Sequence, residues 1–267
     1  MKLNIVPARA GAQWVRSGLQ TFAKRPLAFM VLFMLSMTVV SLISRLPLLG
    51  PLLTLALLPA TTLGFMAAAE YASSLEARPQ AAGIFLAAFR AVRTDIRPLA
   101  VLGALYAVLI PVVVGASAVI DGGQFARVYL LGEPVSRELA QSGAFQAAGW
   151  LAMLLYLPLS LTFWHAPALI HWHHVPPVKS LFFSFVACLK TFKALLVFML
   201  VWLGVLAGAG ILLSAVSLLL GAVGLFGSDG AGVESVVGLL VMGGATVTAT
   251  MFFTSLWFSF RNTFESE

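Results

Sequence analysis

The amino-acid sequence predicts an all-α integral membrane protein of six transmembrane helices, grouped as three hairpins, each preceded by a cytoplasmic amphipathic interfacial helix. Composition is the first reason: 60% of the 267 residues are hydrophobic and 10% charged, against roughly a quarter charged in soluble domains. The second is the length of the apolar runs, which are too continuous for the alternating strands of a membrane barrel. Hydrocarbon tolerates backbone only when every N–H and C=O is bonded inside its own segment, so helices remain. The third is the way short basic segments alternate with those runs.

A hydrocarbon core of about 30 Å needs roughly 20 apolar residues of helix, and six stretches supply them: 27–44, 50–69, 98–120, 147–170, 194–219 and 236–260. Pro26 and Pro98 stand in first turns, where a missing N–H costs nothing, and 41–51 is the tight turn between the first two spans. The first apolar run re-enters the membrane almost at once after Arg45, so it reads as a retained span rather than a cleaved signal peptide. Thirteen Lys and Arg fall on one side: Lys2, Arg9, Arg16, Lys24, Arg25, Arg78, Arg90, Arg93, Arg97, Lys179, Lys190, Lys193 and Arg261. Arg45, Arg127 and Arg137 fall on the other. The positive-inside rule then puts both termini in the cytoplasm of a bacterial inner-membrane, multi-pass protein.

The chain, 1–267, reads as a single transmembrane domain with three pseudo-repeats, 8–75, 80–172 and 177–264. Arg25, Pro26, Leu27 and Ala28 recur as Arg97, Pro98, Leu99 and Ala100, and Lys193, Ala194, Leu195 and Leu196 hold the matching place before the fifth span. An amphipathic segment precedes each. Trp14, Gly18, Leu19 and Phe22 oppose Arg16, Gln20 and Lys24; Phe85, Ala88, Phe89 and Val92 oppose Arg90, Arg93 and Arg97; Leu181, Phe182, Phe185, Leu189 and Phe192 oppose Lys190 and Lys193. Such helices lie in the interface, apolar face among the acyl chains and bases on anionic headgroups. Arg16, Lys24, Arg25, Arg90, Arg93, Arg97, Lys190 and Lys193 are therefore the expected contacts to inner-leaflet phospholipid.

All four histidines, His165, His171, His173 and His174, fall in one short segment with Trp164 and Trp172. Neutral imidazole ligates zinc, copper, nickel or haem iron, and His171 with His174 is an i, i+3 pair. Against a metal site, Pro176 and Pro177 end the helix and no carboxylate or thiol lies near in sequence. An aromatic interfacial belt accounts for the segment better, with His165 deeper as a buried polar contact between helices, so no cofactor is expected. Cys188 is the single cysteine, a small apolar filler that excludes an intrachain disulfide. The span interiors hold no ionisable side chain: Glu70, Asp121, Asp229 and Glu234 lie at span ends, which weakens an ion-coupled carrier.

Pro59, Pro111, Pro158 and Pro167 fall within spans and are expected to kink them. Thr61, Thr62, Ser160, Thr162, Thr246, Thr248 and Thr250 are suited to interhelical hydrogen bonds, and Gly204 with Gly208 to close helix packing. The Gly-rich segment 221–232 lacks the lysine and strand-to-helix context of a phosphate loop, and no hydrolase or zinc-protease motif is present.

The opening MKLNIVPARAG followed by Trp14, together with Ala166, Pro167, Ala168, Leu169 and Ile170, then Val175, Pro176 and Pro177, and 184–188, resembles a family of uncharacterised six-span proteobacterial inner-membrane proteins. The resemblance covers most of the chain in layout. It implies a six-span protein with no assigned activity, cofactor or substrate, so it transfers no site residue. It also implies that the histidines at 171–174 stand outside the family pattern. The expectation is a non-enzymatic membrane protein that binds lipid or a protein partner, including a second copy of itself, in envelope maintenance or assembly. The alternatives are a channel or facilitator for a neutral or lipidic solute, and a histidine-dependent metal- or haem-binding protein. The net charge of +6 comes from bases beside apolar runs, which points to membrane phosphates and away from nucleic acid.

Overall fold

The computed structural model describes residues 2–47, 49–74, 79–222 and 231–265. Arg78, Asp229 and most of the Gly-rich segment fall outside the described residues, as does the side chain of Glu234. In chain order the elements are β1 (Lys2–Leu3), α1 (Ala10–Lys24), α2 (Pro26–Ser44), α3 (Gly50–Ser74), α4 (Ala81–Thr94) and α5 (Ile96–Ala116). Then come α6 (Ala118–Asp121), α7 (Gln124–Ala126), a π-helical turn Arg127–Leu131, α8 (Arg137–Gln141), α9 (Gly143–Trp164) and α10 (Ala166–His173). Last are α11 (Pro177–Lys190), α12 (Phe192–Ala222), α13 (Ala231–Thr263) and β2 (Phe264–Glu265). Six segments are long and apolar enough to cross a membrane: Pro26–Ser44, Gly50–Ser74, Ile96–Asp121, Gly143–His173, Phe192–Leu219 and Gly238–Thr263. They coincide with the six expected from the sequence.

The chain forms two compact units: Met1–Ser36 with Phe65–Phe89 and Lys190–Glu267, and Met37–Gly64 with Arg90–Leu189. In the first, α1 lies on α12 and α13. Gly11 leaves no room for a Cβ against the Ala194 carbonyl and the Phe198 amide, and Gly18 none against the backbone and Cβ of Ser255. Between them Trp14, fully buried, sets its ring 6.1 Å from Phe198. Phe198, Trp202, Phe252, Phe253, Phe65 and Phe33 continue the aromatic contacts across α12, α13, α3 and α2. Beyond Phe22 a second cluster joins Phe29, Ala68, Ala72, Ile84 and Ala88.

The expectation that α1 dips its apolar face into the acyl region is thus corrected: protein covers that face. Amphipathic periodicity reports a face that avoids water, and lipid or protein can satisfy it equally. Gly11 and Gly18 on that face admit a neighbouring backbone, which decides for protein. A short antiparallel pair, Lys2 opposite Glu265 and Leu3 opposite Phe264, ties the two chain ends together, with the Asn4 N–H donating to the Thr263 carbonyl at 2.9 Å.

In the second unit α5 meets α9 and α10. Tyr106 and Phe163 meet edge to face at 4.8 Å within a cluster of Leu102, Ala166 and Ile170, and Gly103 admits the Ala56 carbonyl of α3. After α5, Asp121 accepts hydrogen bonds from the Gly123 and Phe125 amides (2.9 and 2.5 Å), and Phe125 packs on Tyr129 and Phe145.

Two further expectations are corrected. Gly204 and Gly208 are exposed and an added Cβ would meet nothing, so this pair is not a packing face. The hydroxyls expected to bond between helices donate within their own: Thr62 to Leu58, Ser160 to Leu157, Thr162 to Leu159, Thr246 to Met242, Thr248 to Gly244 and Thr250 to Thr246. A carbonyl one turn back is always within reach, so no neighbour is needed. Pro59, Pro111 and Pro158 lie inside unbroken helices, and Pro167 alone accompanies a break.

Replacing Gly18 by Val should lift α1 from α13 at a cost of about 1 to 3 kcal/mol, read as a lower thermal midpoint in detergent. Gly204→Ala, into open space on a helix, should hold or raise that midpoint; equal losses in the two variants would contradict the docking of α1.

Candidate functional site

Polar chemistry in the second unit gathers where α9, α10 and α11 meet. Pro167 has no N–H, so the Phe163 carbonyl lacks its helical donor and the chain breaks at His165 between α9 and α10. The His165 N–H donates to Ser184 Oγ at 2.9 Å, and the Ser184 hydroxyl donates to the Leu161 carbonyl at 2.8 Å. One serine on α11 therefore bridges the two groups that an unbroken helix would bond directly. Without such an insertion, the joint would leave backbone polar groups buried and unmatched.

α10 ends at His174, whose φ of 52° is the one positive value outside glycine among the described residues. The Val175 amide closes that end by donating to the Leu169 carbonyl at 3.2 Å, and Pro177 opens α11 as its first residue. The inward face of α11 is small and partly polar: Ser180, Ser184, Ala187 and Cys188. Burial pushes the Cys188 thiol up to about 12, and its hydrogen bond with Ser184 pulls weakly the other way. Cys188 is thus the filler expected from the sequence.

The structure parts the four histidines. His165 is fully buried at the joint, as expected. His174 is exposed at the helix end, and His173 is half-buried. His171 turns its Nδ1 to Asp95 Oδ2, 2.6 Å away. With the carboxylate oxygen as acceptor, the proton of this contact sits on Nδ1. Among the described residues no three His, Cys, Asp or Glu side chains stand close enough to hold a metal ion.

Asp95 is the residue beside the histidines that sequence reasoning missed. It sits 8% exposed at the start of α5, where an Asp ordinarily caps the helix, yet its side chain makes no cap bond. No carboxylate lies near the histidines in sequence, and the meeting of α5 with α10 brings this one to them in space. A signal existed: Asp95 is the lone acid in a stretch with Arg90, Arg93 and Arg97.

The expected headgroup contacts divide. Lys24 Nζ donates to the Ala72 carbonyl (3.0 Å) and Arg25 Nε to that of Pro79 (2.8 Å), so both commit a donor inside the protein. Arg16, Arg90, Arg93, Arg97, Lys190 and Lys193 are exposed. On α4 they accompany exposed Phe89 and Leu86, and on α11 exposed Phe182, Phe183 and Leu189, with Phe182 at 63%.

These features define a polytopic helical membrane protein with a serine-bridged joint in its fourth span. A protein of Burkholderia thailandensis named as a probable inner membrane protein is 34% identical to this chain over 268 residues, covering 99% of this chain and 94% of the relative. The chain belongs to the family of that inner membrane protein. No protein-family model matches it, and no solved structure does.

Ser184→Ala should strand the His165 N–H and the Leu161 carbonyl at a cost of about 1 to 3 kcal/mol, seen as a lower thermal midpoint that Cys188→Ala does not reproduce. The Cys188 thiol should resist maleimide at pH 8 in the folded protein and label fully in dodecyl sulfate. Because its folded value lies above the unfolded one, the stability tied to the neutral thiol is complete below the unfolded value and is lost as pH rises toward 12.

Proposed function

We propose that this protein is a non-enzymatic factor of the inner membrane that binds anionic phospholipid at the cytoplasmic leaflet through α4 and α11. The carrying observation is the orientation of α11. Its small residues Ser180, Ser184, Ala187 and Cys188 turn inward, and Phe182, Phe183 and Leu189 stay outside beside exposed Lys179 and Lys190. A helix that keeps aromatic side chains out of its own protein, next to lysines, matches an interface of acyl chains below and anionic phosphates above. α4 repeats the arrangement with Phe89 and Leu86 beside Arg90 and Arg93.

In this reading the six spans form three hairpins with both termini cytoplasmic, which the thirteen-to-three distribution of Lys and Arg supports. α4 and α11 are the interfacial members, and α1 is the member folded into the protein. The relative's inner-membrane name supports the location. A facilitator for a neutral solute fits less well, because the threonines of α13 already donate to their own helix.

The test is native mass spectrometry from phosphatidylglycerol-doped, phosphate-free detergent. A variant with Arg90, Arg93, Lys190 and Lys193 changed to Gln should retain at least about tenfold less lipid, since each base contributes about 1 kcal/mol. Salt should weaken the wild type in the same direction. Unchanged retention, or a C-terminal reporter fusion active on the outer side, would sink the reading.

A further inference from the structure

The joined chain ends of the first unit border an open, solvent-facing cavity of about 360 Å³, lined by Asn4, Arg9, Gln13, Arg261 and Asn262 with Val6, Pro7 and Ala10. We infer that this cavity binds the phosphate group of a small phosphate ester or of a phospholipid headgroup.

The argument starts from what holds the lining in place. The pairing of β1 with β2 and the Asn4 to Thr263 bond fix the first residues against the end of α13. A turn closed by the Ala10 and Gly11 amides on the Pro7 and Ala8 carbonyls then leads into α1. Arg9 and Gln13 lie one helical turn apart on the same side, and α1 itself is pinned to α13 at Gly18 and Ser255. The start of α1 and the end of α13 thus both contribute donors to one space.

Its chemistry is one-sided. Among the described residues the lining holds two guanidinium groups and three carboxamides, and no carboxylate. Neither Arg9 nor Arg261 has an ion-pair partner among the described residues. The Arg261 guanidinium carbon stands 5.3 Å from the Phe258 ring centroid, a cation–π contact that orients its planar fork. Guanidinium groups bind phosphate through paired, charge-assisted bonds, and carboxamide N–H groups fill the remaining acceptor positions. The volume exceeds what a bare phosphate needs and lies in the range of small-ligand sites, so an ester is the fitting class. The site uses no residue of α4 or α11 and stands apart from the lipid reading.

The test uses the full-length protein in phosphate-free maltoside micelles. Isothermal titration with inorganic phosphate and with glycerol 3-phosphate reads a soluble ligand, and native mass spectrometry with added phosphatidylglycerol reads a headgroup. Saturable binding of glycerol 3-phosphate, or selective retention of the lipid, tells the two sources apart, and either supports the site. Arg9→Gln and Arg261→Gln should each weaken that binding at least about tenfold, Arg9→Lys should fall between, and Arg137→Gln should change nothing. Thermal midpoints accompany each variant, so that a folding defect at Arg261 leaves Arg9 to decide. Failure of all three probes to bind, or equal losses with Arg137→Gln, would overturn the inference.

Discussion

Hydrocarbon supplies no hydrogen bonds, and most of what distinguishes this chain follows from that. Each span must close its own backbone ladder, so the six apolar runs fold as helices whatever their neighbours do. The same constraint acts on side chains. Threonine and serine hydroxyls along α13 donate to carbonyls one turn back, from Thr246 through Thr263, and so reach the interior already satisfied. A face built this way is small and carries little unmatched polarity, which lets another helix approach closely.

The constraint also explains the one place where a span is broken. The helix breaks at His165 beside Pro167, and Ser184 bridges the parted His165 N–H and Leu161 carbonyl with a hydroxyl that both accepts and donates. That geometry needs a third helix, so α11 is held against the α9 to α10 joint by chemistry as well as by packing. The consequence for the outer face of α11 is direct. With its small residues turned to the joint, the phenylalanines at 182 and 183 and the flanking lysines are left on the other side.

The three amphipathic helices thereby separate into different roles. α1 has glycines on its apolar stripe and is absorbed between α12 and α13. α4 and α11 keep bulky apolar side chains exposed beside bases. Exposure next to positive charge is costly in water and favourable at a membrane interface, where acyl chains and phosphates lie within one side-chain length. The chain ends, tied by the β1 and β2 pair, bring Arg9 and Arg261 to a common cavity far apart in sequence.

What the sequence determined by itself was everything governed by local backbone closure: the helical class, the six spans within a few residues, and the amphipathic segments at 14–22, 85–92 and 181–192. These are legible because the hydrocarbon requirement acts on each segment alone. The burial of His165 and Cys188 was legible for the same reason, since each sits in an apolar stretch. Only the tertiary structure decided whether an apolar face is covered by protein or left exposed, and it chose oppositely for Trp14 and Phe182. It alone paired Asp95 with His171, parted the four histidines, left Gly204 and Gly208 bare, and turned the threonines inward on their own helix. Those outcomes depend on which backbone can approach which, and a one-dimensional pattern of hydrophobicity carries no term for a neighbour.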